Sequence, residues 1–159
     1  MSATEYDLPK IAAAAGAMIF DRSGRLLILK PSYKPKWTIP GGQIEPEGES
    51  PWDACRRETL EECGLHVQRG RLVCVDFRRP RQDPYRPGGV RFLFNCGVFA
   101  DEELRAIELQ HDEILEYRFL ELEEAFSRLS GPLRRRVRAG AGRKRCVYLE
   151  EGRRVDGVR

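Results

Sequence analysis

The chain has 159 residues, of which 41% are apolar and 33% charged, with a net charge of +3. One domain spanning 1–159 is expected, long enough to bury a sizeable core without staples, and the balance of apolar and charged residues excludes a disordered chain. No apolar run approaches the roughly 20 residues that cross a bilayer, and no basic-then-apolar leader opens the chain, so a cytoplasmic protein is expected, with a flexible N-terminus over 1–10 and a basic C-terminal segment over 131–159.

The run IAAAAGAMIF (11–20), closed by DRSG and followed by RLLILK (25–30), reads as two strands joined by a turn. KWTIPGG (36–42) reads as a brief strand that halts at Pro40 and the flexible Gly41–Gly42 pair. A helix is expected from Pro51 to Cys63: Ser50 can cap it, Pro51 suits its first position, Asp53 suits the positive helix start, and Gly64 ends it. GRLVCVDF (70–77) and VRFLFNCGVFA (90–100) read as strands, separated by a Pro- and Arg-rich connection that is long for a hairpin and is a candidate functional loop. EILEYRFL (113–120) reads as a further strand and ELEEAFSRL (121–129) as a helix, with Leu122, Ala125, Phe126 and Leu129 at helical spacing. PLRRRVRAG (132–140) is a further helix ended at Gly140. The sum is a mixed sheet with helices on its faces, α/β or α+β in class.

The five cysteines (Cys55, Cys63, Cys74, Cys96, Cys146) are odd in number, scattered and never in a C-x-x-C pair. That pattern fits neither a disulfide framework nor a thiolate zinc site, and they read as small buried residues in a reducing compartment. Arginine crowds the segments 77–91 and 132–145. Each reads either as a solvated face or mobile tail, or as an anion-binding element.

Glu58, Glu61 and Glu62 stand at i, i+3 and i+4 of the expected helix and so point to one side of it. Like charges so placed cost a few tenths of a kcal/mol per pair, so something should compensate them. Two readings are open: a solvated acidic face part-neutralised by Arg56 and Arg57, or a seat for a hard divalent cation beside a glycine-rich loop that holds a metal–phosphate complex.

The segment 42–65 resembles the Nudix box, G-x5-E-x7-R-E-U-x-E-E-x-G-U with U aliphatic. Leu65, Gly64, Glu62, Glu61, Glu58, Arg57 and Glu49 match at the expected spacing. Two departures stand out: six residues instead of five separate Gly42 from Glu49, and Thr59 occupies the aliphatic position. The extra loop residue is expected to be accommodated locally, and Thr59 to plug the core less well than leucine or valine. The likeness extends to the W-x-x-P-G-G approach at 37–42 and to EYRFLELEEAF at 116–126. It implies an α/β/α sandwich with a mixed sheet and a loop–helix–loop catalytic motif.

By resemblance the chain is expected to be a metal-dependent pyrophosphohydrolase acting on a nucleoside diphosphate linked to another moiety. Magnesium or manganese (Mg2+, Mn2+) would sit on Glu58, Glu61 and Glu62, with the Gly42 carbonyl as a further ligand, while Arg57 and Glu49 pair to support the site. The general base is Glu58 or Glu113; Asp112 and His111 flank the latter, and a lone loop histidine is more often a surface residue. Lys30, Lys34, Arg78, Arg79 and Arg91 are candidates for meeting outer phosphates, and Tyr33, Trp37 and Phe77 for stacking on a base. The alternative is a Nudix-fold sensor that binds a nucleotide metabolite without cleaving it, although all three helical glutamates are kept. A nucleic-acid partner ranks lower, because no RNA-binding module is visible, and a homodimer is compatible with the family.

Overall fold

Along the first two strands of the computed structural model, which describes residues 8–159, consecutive side chains enter two different cores. Ala15, Ala17 and Ile19 of β1 (Ala13–Phe20), with Leu27 and Leu29 of β2 (Leu26–Pro31), enter one core; Met18, Leu26 and Ile28 enter the other. Period-2 alternation with both faces apolar is the mark of a sheet covered on both sides. The first core is closed by α1 (Pro51–Cys63), through Ala54, Cys55 and Cys63, reached from β2 by way of β3 (Gly41–Gln43).

The chain continues through β4 (Arg71–Arg78), a small hairpin of β5 (Arg81–Gln82) and β6 (Tyr85–Arg86), β7 (Gly89–Val98), α2 (Asp101–Arg105) and β8 (Ile114–Leu120). Then α3 (Leu122–Arg128) and α4 (Gly131–Gly140) close the second core with Ala125, Phe126 and Val137, before β9 (Val147–Glu150) and β10 (Arg153–Arg154). The sheet order is β10-β9-β4-β7-β1-β2-β8, with β3 paired to β1 off that path. The pairs β1–β7 and β4–β9 are parallel and the others antiparallel, so this is a mixed sheet between helices, the expected α/β/α sandwich.

Four sequence expectations change. The third strand lies after Pro40 instead of halting there. Trp37 and Thr38 make only isolated bridges, while the Pro40 carbonyl accepts the Ala17 N–H at 2.8 Å and Gly41–Gln43 pairs with Ala14–Gly16. The long arginine-rich connection folds into the β5–β6 hairpin, and α2 was not foreseen. The mobile-tail reading of 132–145 gives way to α4 over most of its length, and the basic C-terminal segment goes on to a strand that was not foreseen, β9, which buries Val147 and Leu149 on alternate positions and extends the sheet beside β4. Cys55, Cys63, Cys74 and Cys96 are buried as expected, but Cys146 is exposed. The flexible N-terminus expected over 1–10 lies mostly outside the described residues.

Both departures inside the motif have visible local forms. Thr59 is fully buried, and its hydroxyl donates to the Cys55 carbonyl at 2.7 Å, so this hydroxyl is not stranded in the core. In the loop, Glu47 (φ 73°) and Gly48 (φ 91°) take consecutive left-handed conformations on the surface just before Glu49.

Candidate active site

Helix α1 is fixed at both ends by its own sequence. The Ser50 hydroxyl accepts the Asp53 N–H at 3.0 Å, Pro51 starts the first turn, and Gly64 (φ 70°) ends the last one with its N–H on the Leu60 carbonyl. That pins the register of Arg57, Glu58, Glu61 and Glu62 against β3. Gly41 approaches the sheet so closely that a Cβ there would fall 2.3 Å from the Ala15 carbonyl oxygen, and its N–H donates to Glu62 Oε2 at 3.2 Å. Gly42 faces Glu58, whose Oε1 would lie 2.4 Å from a Cβ on that residue.

Arg57 is the electrostatic hub. Its guanidinium donates to both Glu49 oxygens (2.7 and 3.1 Å), to the Gln43 carbonyl (3.0 Å), and to Glu58 Oε1 (2.9 Å) and Glu61 Oε2 (3.1 Å). These bonds hold the Glu49 carboxyl below the usual carboxylate range, and the Glu45 N–H adds to them at 2.6 Å. Five donors in a rigid plane can serve this set; an ammonium cannot. Arg57→Lys is therefore expected to keep the fold but to weaken divalent-cation affinity about 10- to 100-fold, the usual cost of losing a partner that orients ligands. Calorimetric titration with Mn2+ reads it, and unchanged affinity would reduce Arg57 to a surface ion pair.

Glu62 is only 5% exposed, and burial, with Glu58, Glu113 and Glu61 adding repulsion, pushes its carboxyl up to about 8 despite the Gly41 N–H. Burial likewise raises Glu58, against the pull of Arg57. Glu58, Glu62 and Glu113 line one cleft of about 620 Å³, to which Lys34, Arg78, Arg86, Arg91 and Arg136 also contribute. Glu61 is not part of that lining: it stays half-exposed on Arg57, and among the described residues no three acidic, histidine or cysteine side chains converge into a ligand set.

Of the candidates for substrate contact, Tyr33, Lys34, Arg78 and Arg91 line the cleft. Trp37, Phe77 and Arg79 do not. Trp37 packs on the second core under Arg118 and Arg128, while Arg79 pairs with Glu150 at 2.8 Å and lies over the Phe77 ring. Lys30 also lies outside the lining, with its ammonium on the Lys34 and Pro35 carbonyls; His111 is exposed, and Asp112 offers its main-chain carbonyl to Ser32. Two charged lining residues were not foreseen from the sequence, Arg86 and Arg136. The arginine-rich segments were the only signal for them, and that signal did not say which arginine turns inward.

With this geometry in place, the family model of the NUDIX domain matches residues 10–139. The chain belongs to the Nudix family. Human diphosphoinositol polyphosphate phosphohydrolase 3-alpha is 38% identical over 82 residues, covering 50% of this Nudix chain and 48% of that protein. A putative 8-oxo-dGTP diphosphatase of Bacillus subtilis (strain 168) is 34% identical over 67 residues, 42% of this chain and 44% of that one. The match thus spans about half the length of these curated relatives. A Nudix hydrolase structure from Nitrosomonas europaea superimposes with a TM-score of 0.67 at 21% identity over 86% of this chain and 93% of its own, a likeness of fold. A C. elegans Ap4A hydrolase in a binary complex matches at 27% identity and a TM-score of 0.52, over 72% and 84% of the two chains.

Proposed function

We propose that this Nudix chain hydrolyses a phosphoanhydride bond in a small phosphorylated molecule, of the kind a nucleoside diphosphate forms with another moiety, using a divalent cation. The observation that carries this reading is the burial of Glu62 beside Glu58 and Glu113 in a cleft otherwise rich in cations. The names of the relatives agree in chemistry, since a diphosphoinositol polyphosphate, 8-oxo-dGTP and Ap4A all carry phosphoanhydrides.

The residues fit a hard cation. Carboxylates whose own repulsion and burial oppose ionisation gain most from a divalent charge, and oxygen donors are what magnesium and manganese accept. Glu58, Glu61 and Glu62 would hold it, with the Gly42 carbonyl, and Glu61 need only exchange its exposed ion pair with Arg57 to join. Bound there, the cation would neutralise phosphate charge and acidify a water. The protein's own share is positional. Arg57 and Glu49 lock the loop to α1, Gly41 holds Glu62 through its N–H, and Glu113 or Glu58 takes the proton of the attacking water.

Those two bases can be told apart. Glu113→Gln is expected to lower kcat about 100-fold or more, the typical worth of a general base, with KM within a few-fold. A change in KM alone would assign Glu113 to substrate contact and leave the proton to Glu58.

The reading itself is tested by phosphate and nucleotide release from nucleoside triphosphates, ADP-ribose, nucleotide sugars, dinucleoside polyphosphates and coenzyme A, with and without Mg2+ or Mn2+. Metal-dependent cleavage of one class is expected. Silence across the panel from folded, metal-binding protein would favour the non-cleaving sensor.

A further inference from the structure

The cationic part of the cleft is not the solvated face that an arginine run ordinarily makes. The Arg136 side chain is 12% exposed and the Arg78 side chain 20%. They rise from α4 and β4, and Arg91 joins them from β7, directly across the strand pair from Asp76. Asp76 is fully buried, yet both its oxygens are already engaged: Oδ1 by the Gly152 N–H at 2.8 Å and Oδ2 by Arg136 at 3.3 Å. Arg78 has Glu151 at 3.7 Å. Arg91 donates only to the carbonyls of Gly88 and Val90, and among the described residues neither it nor Arg86 forms an ion pair with a carboxylate. Burial lowers the pKa of both Arg91 and Arg136, with Asp76 opposing it and the neighbouring guanidinium groups adding to it. Structural arginines of this kind are normally matched one to one; Arg136 and Arg78 each have one carboxylate, whereas Arg91, partly buried beside them, has none among the described residues, so the three guanidinium groups share two carboxylates.

Surfaces for a base are scarce by comparison. The aromatic rings lining the cleft are those of Phe92, which packs against the first core, and Tyr33, which is 62% exposed with the Lys34 ammonium 5.0 Å from its centroid. The two wide aromatics that sequence offered as stacking platforms, Trp37 and Phe77, lie elsewhere. A cleft with five cations and no buried stacking sandwich discriminates by charge, because guanidinium forks hold phosphate oxygens in fixed geometry while a lone exposed ring discriminates little.

We propose that Arg78, Arg91 and Arg136 form a subsite for phosphate groups that are not cleaved, so that the chain selects a substrate carrying a phosphoanhydride and at least two further phosphates, with no need for a nucleobase. This rests on the hydrolase reading for its chemistry. Water adds across one P–O–P bond to give two phosphate-bearing products and a proton, and the arginines make and break no bond. Asp76 is a positioning residue, anchoring Arg136 from beneath through contacts that join β4, α4 and the β9–β10 turn.

The test has a binding arm and a kinetic arm on the full chain. In the first, inorganic tripolyphosphate is titrated without metal into the wild type and into Arg91→Gln, Arg78→Gln, Arg91→Lys and, as a control outside the cleft, Arg79→Gln. The expected result is binding weakened about 10- to 100-fold by either glutamine in the cleft, partly restored by lysine, and unchanged within twofold in the control. Circular dichroism on each variant separates lost binding from lost fold. In the second arm, kcat/KM with Mg2+ is compared for ADP-ribose, with two phosphates and a base, and inorganic tetrapolyphosphate, with four and none. The polyphosphate is expected to be preferred at least tenfold, with Arg91→Gln raising its KM about tenfold and leaving kcat within threefold. If tripolyphosphate binds equally to folded wild type and Arg91→Gln, or if ADP-ribose is preferred and insensitive to Arg91, the subsite is wrong while the hydrolase stands. Binding that depends on Arg91, with no cleavage of any phosphoanhydride, would keep the subsite and remove the hydrolase.

Discussion

Glu62→Gln is expected to abolish most turnover while making the metal-free protein more stable. Both effects come from one fact: this carboxyl is 5% exposed, surrounded by Glu58, Glu61 and Glu113, and satisfied among protein groups by one N–H, that of Gly41 at 3.2 Å. Glutamine has nearly the same shape and still accepts that bond, but carries no charge to be buried. Near pH 7.5 the unfolded chain ionises this carboxyl while the fold, which pushes it up to about 8, holds most of it protonated; removing that cost is expected to be worth about 1 kcal/mol or more, a rise in Tm of at least roughly 2–4 °C for a chain of this size, measured in EDTA. Added Mn2+ should then raise the Tm of the wild type much more than that of the variant, because only the wild type offers the full charge for the cation. Turnover should fall by more than the roughly 100-fold that outer-shell substitutions cost at metal centres. A variant with near-normal kcat would remove Glu62 from the site, and a lower Tm in EDTA would show that the fold does not oppose ionisation of this carboxyl after all.

Gly41→Ala should be the most damaging single methyl in the loop. At φ 153° with Ala15 O at 2.3 Å and Gly16 Cα at 2.7 Å from the new Cβ, the clash is with the main chain of the central β1 strand, which cannot move aside as a side chain can. The expected cost is about 3 kcal/mol or more, roughly 6–12 °C in Tm, with turnover lost because the Gly41 N–H no longer reaches Glu62. Gly48→Ala is the comparison. It also has a positive φ of 91°, but nothing lies within 4 Å of its Cβ, so only the backbone preference of about 1 kcal/mol is lost. Thermal unfolding of the pair decides it: equal losses would mean that β3 yields and that the close approach to β1 is not what places the loop.

Much of the site could be read before any fold was known, because its main element is local. Ser50, Pro51, Asp53 and Gly64 fix where α1 begins and ends, and the spacing of Glu58, Glu61 and Glu62 then follows from helical geometry alone. Strands β1, β2, β7 and β8 were equally visible, since each carries enough apolar residues to declare itself. What stayed hidden were the elements that mean little without partners. Strand β3 is two glycines and a glutamine with no strand propensity of their own, made a strand only by pairing with β1. Strand β9 lay unread within the basic C-terminal segment, because four residues with two apolar ones declare no strand until Val147 and Leu149 meet β4.

The sequence by itself determined the Nudix motif, the two-faced apolar sheet and the direction of three glutamates from one helix. Only the tertiary structure decided that Glu62 would be buried and Glu61 left outside on Arg57, and that one arginine of a long basic run would matter differently from its neighbours. Arg136 reaches Asp76 across 60 residues of chain, whereas Arg138, two positions on in the same helix, turns to Glu123. The reason is physical. Helix capping and periodicity act over a few residues and are written locally, while burial and the pairing of charges depend on which distant segments the sheet brings alongside.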